Sequence, residues 1–147
     1  MYKGSSDAHM TQGSWPNPWP ETDGTGTFPV IIDSGTTTLA FPPNMTDAIN
    51  ALFNPPAVYL QDEGAYFVQC NATPPAFGVT ISGQTFNVNP VDLIFQEVVD
   101  PTTGFCLTGV QSGGQGPYIL GDVFLQNVVA VFDVGAAEMR FAAHEFY

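Results

Sequence analysis

The chain has 147 residues, enough for one domain with a full core and too few for two. With 44% hydrophobic and 11% charged residues it reads as a core-forming globular sequence, not a disordered one, despite 15 glycines and 13 prolines. Fourteen acidic residues against one lysine (Lys3) and one arginine (Arg140) give a formal net charge of -12. This argues against nucleic acid and anionic membrane surfaces as partners, since both require clustered basic residues. The imbalance suits an acidic working medium, where protonation of carboxylates relieves self-repulsion, and it is explained equally well by simple solubility. No apolar run approaches the roughly 20 residues of a membrane helix.

Residues 1–26 are rich in Gly, Ser, Thr and Pro, with Trp15-Pro16 and Pro18-Trp19-Pro20 breaking any period, and read as a flexible or non-native arm. They lack the apolar stretch of a secretory signal, so this start is not expected to be that of an ordinary secreted precursor. Order is expected from about Phe28, and residues 30–32, a continuous β-branched run, predict a strand buried on both faces. Asn44 is placed to cap a helix through Phe53, because Ala48, Ile49, Leu52 and Phe53 recur at helical spacing and Asn54-Pro55-Pro56 stops it. From Val58 onward, short β-branched and aromatic runs predict strands at 65–69, 77–81, 84–88, 91–95 and 105–108, with Ser82-Gly83 as a two-residue hairpin turn. A glycine-rich loop at 113–116 leads into an extended segment at 118–121, after which Asp122 caps a short helical turn through Gln126. Residues 128–134 and 138–142 form a last hairpin around Gly135. There is no internal repeat, and the fold class is mainly β with one or two short helices.

Cys70 and Cys106 read either as a disulfide or as two buried free thiols. A bridge over that span would contribute roughly 4 kcal/mol through the unfolded state. Two sequons, Asn44-Met45-Thr46 and Asn71-Ala72-Thr73, add to the picture of an extracellular (secreted) or vacuolar glycoprotein. Asn44 is explained equally well as a helix cap.

The chemistry centres on Asp33 in VIIDSGTTTL. The apolar run before it predicts partial desolvation, which raises a carboxyl pKa. The residues after it are donors: the Ser34, Thr36 and Thr37 hydroxyls and the Gly35 amide, which can come close for want of a Cβ. These lower the pKa, and an aspartate between the two pressures is tuned for general acid–base work. A bare D-S-G triplet is also the ordinary start of an Asx-turn. The balance shifts with Ile119-Leu120-Gly121-Asp122, whose glycine would let a strand run close beside the Asp33 loop where any side chain would collide.

Together, VIIDSGTTTL, ILGDVFLQNVVAVFDVG and the cysteine pair resemble the C-terminal lobe of a pepsin-like aspartic protease, over residues 27–147. The resemblance implies a barrel-like β lobe with a ψ-shaped loop and one or two short helices. It implies that Asp33 is one of two catalytic aspartates, that Ser34 joins the hydroxyl lattice between the lobes, and that Thr36 hydrogen-bonds the Asp33 carboxylate. Gly35, Thr36 and Thr37 would meet substrate, Gly121 would close the ψ-loop, and Cys70 would pair with Cys106. The implied function is an aspartic-type endopeptidase that hydrolyses peptide bonds in peptide or protein substrates, with no metal and no cofactor.

Such enzymes are bilobal, and this chain carries one D-S-G motif. Asp23-Gly24-Thr25-Gly26 lacks the hydroxyl between Asp and Gly, and no flap hairpin bearing a tyrosine is recognisable. The expectation is therefore that the N-terminal lobe is missing, leaving the chain inactive by itself. The second aspartate would come from a separate N-terminal chain or from a homodimer, or the chain is an inactive lobe that acts as a protein-binding module. His9 and His144 are too isolated for a metal site. Glu138 with Arg140 reads as a solvated pair, and Asp133 as a structural, hydrogen-bonded carboxylate.

Overall fold

The computed structural model of the chain describes residues 2–4, 7–10 and 28–144. Strands β1 (Tyr2–Gly4) and β2 (Asp7–Met10) come first, then β3 (Phe28–Ile32), β4 (Leu39–Phe41) and helix α1 (Pro43–Asn50). Strands β5 (Val58–Leu60), β6 (Ala65–Val68), β7 (Phe77–Ile81) and β8 (Gln84–Val88) come next, and a 3-10 turn (Pro90–Leu93) leads into β9 (Ile94–Val99). After these are β10 (Cys106–Thr108), β11 (Val110–Ser112), β12 (Tyr118–Leu120) and helix α2 (Asp122–Leu125), and the hairpin of β13 (Val128–Asp133) and β14 (Glu138–Ala143) is the last element. The fold is mainly β, as the sequence implies. Strands β1 and β2 fall inside the stretch read as an arm, while Trp15, Trp19 and Asp23 lie outside the described residues.

Three sheets carry the architecture, in the orders β1-β14-β13, β5-β6-β10-β9 and β11-β4-β12-β3-β2-β7-β8. Among the described residues they stay open and do not close into the expected barrel-like form. In the largest, β12 inserts between β3 and β4, parallel to β3 (Leu120 opposite Ile32) and antiparallel to β4 (Leu120 opposite Leu39). That insertion holds the Asp33 loop, because β3 enters the loop and β4 leaves it.

Two aromatic clusters fasten these sheets. Phe28 meets Phe41 and Tyr118 edge-on at ring-centroid distances of 6.1 and 5.4 Å, tying the three strands around the loop together. Phe86, Phe124 and Phe141 form a triangle with separations of 5.9 to 6.3 Å that ties α2 to β8 and β14. Such pairs add about 1 kcal/mol each beyond the area they bury.

Several elements depart from expectation for identifiable reasons. Strand β3 alternates instead of burying both faces: Phe28 and Val30 are buried, and Ile31 is 50% exposed. Asn44 does not cap α1. Pro43, with φ preset and no N–H to satisfy, takes the first helical position, so the cap falls on Pro42 and Asn44 lies exposed in the first turn. The helix also stops at Asn50 and not at Phe53, since Ala51 and Leu52 turn the chain so that Phe53 enters the core. Residues 90–93 are a 3-10 turn and not part of a strand, because Asn89 accepts from the Val91 amide and Pro90 opens the turn. Ser82 and Gly83, at φ 49° and 81°, make the expected two-residue hairpin turn.

Candidate active site

At the end of β3 the Asp33 amide donates to Leu120 O on β12 (3.1 Å), which fixes the aspartate at the mouth of the ψ-shaped arrangement. Its carboxylate takes two donors from its own loop: the Gly35 amide to Oδ1 (2.8 Å) and the Thr36 hydroxyl to Oδ2 (2.6 Å). The Thr36 hydroxyl first and the Gly35 amide second hold the Asp33 carboxyl below its ordinary value, outweighing the opposing effect of desolvation. Of the hydroxyls read as donors, Ser34 and Thr37 are not among its partners, and both residues are exposed. The desolvation read from the preceding run is weak because Ile31 faces outward.

Gly121 has an extended backbone that any residue could adopt, so its reason is contact and not conformation. A Cβ there would run into the main-chain oxygens of Thr36 and Thr38. Gly35 is the second close approach, with a notional Cβ 3.1 Å from Asp33 Oδ1. Sequence reasoning missed the role of the two residues after Gly121. Asp122 is the first helical residue and not a cap, and the free amides of the helix start donate to the aspartate loop: Asp122 N to Thr36 O (2.8 Å) and Val123 N to Thr37 O (3.1 Å). Each of these amides of α2 thus meets a carbonyl of the loop. The only hint in the sequence was the lack of any stronger cap than Gly121 itself.

The face presented is open. Among the described residues Ser34, Gly35 and Thr37 are exposed around a half-covered Asp33, and neither of two surface hollows there, of about 270 Å³ beside Asp92 and 190 Å³ beside Asn127, reaches it.

The other singled-out residues lie elsewhere. Cys70 and Cys106 form a disulfide, with Cys106 fully buried. Asn71 is exposed in a turn next to it. Asp133 accepts from the Ala136 amide (3.0 Å) and pairs with Arg140 (3.2 Å), which also reaches Glu138 (3.5 Å). A second aspartate went unread: Asp100, 5% exposed, accepts on Oδ2 from both the amide and the hydroxyl of Thr103 (2.6 and 2.5 Å). Among the described residues no group of three or more His, Cys, Asp or Glu is placed to hold a metal ion, and no helix is long and apolar enough to cross a membrane.

A family model described as eukaryotic aspartyl protease matches residues 21–144. A probable aspartic-type endopeptidase of Aspergillus fumigatus is 52% identical over 122 residues, covering 80% of this chain and 28% of that protein. An acid protease of Saccharomycopsis fibuligera is 32% identical over 120 residues (82% and 30%), and rhizopuspepsin of Rhizopus chinensis is 32% identical over 118 (78% and 28%). The chain therefore spans less than a third of the length of these relatives.

Proposed function

The chain belongs to the eukaryotic aspartyl protease family, and from that premise we propose that it is the C-terminal lobe of a two-lobed aspartic endopeptidase, with Asp33 as one of its two catalytic carboxylates. One observation carries the reading: a carboxylate with two loop donors, backed by main chain packed at van der Waals limit, and open on its outer side.

The donors favour the ionised form of Asp33, the form that can take a proton from a bound water. A second carboxylate brought against it would favour one shared proton, because two like charges at close range resist joint ionisation. The protonated partner would then donate to the scissile carbonyl oxygen as water attacks its carbon. Thr36 orients the base, the Gly35 and Thr37 backbone line the path of the peptide, and Ser34 stands where a facing lobe would meet it. Ile31, two residues before Asp33 on β3, is 50% exposed and supports such a lobe-facing surface, and Phe132 on β13 is a second exposed apolar side chain (55%). The disulfide and the acidic composition support passage through an oxidising route to an extracellular or vacuolar site.

A second reading, a lobe that works alone as a protein-binding module, draws on the same exposed apolar residues. Assay of the full-length protein on a denatured protein at acid pH separates the two. Hydrolysis is expected to fall by about 10⁴-fold in Asp33→Asn. Undiminished hydrolysis in that variant sinks the assignment of Asp33, and absence of hydrolysis in the wild type favours the binding module.

A further inference from the structure

Two sequons are present, and the structure treats them differently. In Asn44-Met45-Thr46 only Asn44 is exposed; Met45 is 3% and Thr46 0% exposed, and the Thr46 hydroxyl faces the carbonyls of Phe41, Pro42 and Gln111 at 3.2 to 3.4 Å. Its main chain is helical from Pro43, whose ring presets that conformation. In Asn71-Ala72-Thr73 both Asn71 and Thr73 are exposed, in a turn whose closing bond runs from the Ala72 amide to Gln69 O (2.8 Å). The bridge that pins its neighbour Cys70 waits on Cys106, 36 positions later in the chain, so the turn is not yet fastened when Asn71 is made.

We propose that Asn71, and not Asn44, carries an N-linked glycan, which stands beside the open edge of the β5-β6-β10-β9 sheet. The proposal rests on the secretory reading above. The donor is a lipid-pyrophosphate-linked oligosaccharide. Asn71 Nδ2 bonds to its anomeric carbon, the carbon–oxygen bond to pyrophosphate breaks, the lipid pyrophosphate leaves with the electron pair, and Nδ2 gives up one proton.

A glycan at this position would shield a strand edge. Gln96 on β9 donates to Cys70 O (2.8 Å), and Cys106 pairs with Val99, so Asn71 lies next to β9. That strand ends its sheet, with the adjacent Val98 and Val99 45% and 47% exposed. Gln96 and Glu97 make the middle of this strand polar, which leaves the exposed pair Val98 and Val99 as the part of the edge that can template association with other chains, and a bulky hydrophilic group beside it hinders that.

The test is expression of the full-length protein from its complete reading frame in a yeast host. Glycans are released enzymatically in heavy-oxygen water, and peptides are read by mass. Labelled conversion to Asp is expected at Asn71 and none at Asn44. Asn71→Gln and Thr73→Ala should each lose one glycan from the gel mobility, and Asn44→Gln none. A secreted, disulfide-bonded protein with bare Asn71, or with sugar at Asn44, overturns the proposal. A protein confined to the cytosol with reduced cysteines overturns the secretory reading itself, and this proposal with it. Enzymatic removal of the sugar from folded protein should at least double the self-associated fraction seen in sedimentation, and an unchanged profile overturns the edge role.

Discussion

Two loops in this chain hold an aspartate in nearly the same way. In Asp33-Ser34-Gly35-Thr36 and Asp100-Pro101-Thr102-Thr103, a threonine three residues on donates its hydroxyl to the carboxylate, and a nearby amide adds a second bond. In both the donors hold the carboxyl below its ordinary value, the threonine hydroxyl foremost. What differs is the backing. The Asp100 loop closes on itself, with Asp100 N to Phe105 O and Gly104 N to Asp100 O both at 2.8 Å, and Asp100 is buried next to a disulfide. The Asp33 loop has one longer turn bond of its own, Thr36 N to Asp33 O at 3.3 Å. It is held from behind by β12 and by the first amides of α2, which leaves its front free. A local donor pattern therefore makes a well-held carboxylate, and only the supporting main chain decides whether that carboxylate can face a substrate.

The sharpest break in the comparison is functional. Asp33→Asn should remove about 10⁴-fold of kcat/KM from the full-length enzyme. Asp100→Asn, in the loop of matching design, should leave kcat/KM within about twofold. Equal losses would mean that the shared pattern, and not the backing, carries the chemistry.

The next two effects concern what fastens each loop. Replacing both Cys70 and Cys106 by serine releases a 36-residue closure and should cost about 4 kcal/mol in urea unfolding, in the chain-entropy account. At the Asp33 loop the corresponding fastener is a missing side chain. Gly121→Ala forces a methyl against the oxygens of Thr36 and Thr38 and should cost about 3 kcal/mol, with loss of activity, because the loop must move aside. A Gly121→Ala protein of wild-type stability would refute the close approach.

The elements legible in sequence were those whose local chemistry and tertiary role agree. The 77–81 and 84–88 hairpin carries its own turn in Ser82-Gly83, and its strand bounds match the expected ones. The aspartate loop and its closing glycine were legible because a collision argument needs only the motif pair. Where long-range partners decide, local reading failed. Val30, Ile31 and Ile32 look uniformly buried, but a sheet with one face free alternates them. Asp122 looks like a cap, but the cap function is served by the carbonyls of Thr36 and Thr37, far upstream in the chain. Asp100 was invisible because its Thr103 donors are as common in structural turns as in active sites, and only its burial beside Cys106 tells which it is.

The smallest effect discriminates most finely. Thr36→Val removes the leading cause of the depressed Asp33 pKa, so that pKa should rise while that of Asp100 stays put, and Thr103→Val should do the reverse. Carboxyl NMR titration of both residues reads this directly. A carboxyl lowered on folding stabilises the fold above its unfolded pKa and loses that contribution as pH falls through the native value. Each valine variant should therefore be less stable than wild type above the ordinary aspartate range and converge with it as pH drops below the native pKa. A facing lobe adds one more distinction. In the complete protein a second carboxylate would couple to Asp33 and split its titration into two macroscopic steps, while Asp100 would keep a single low one. A single low step at both sites in the active, two-lobed protein would mean that no second carboxylate lies against Asp33.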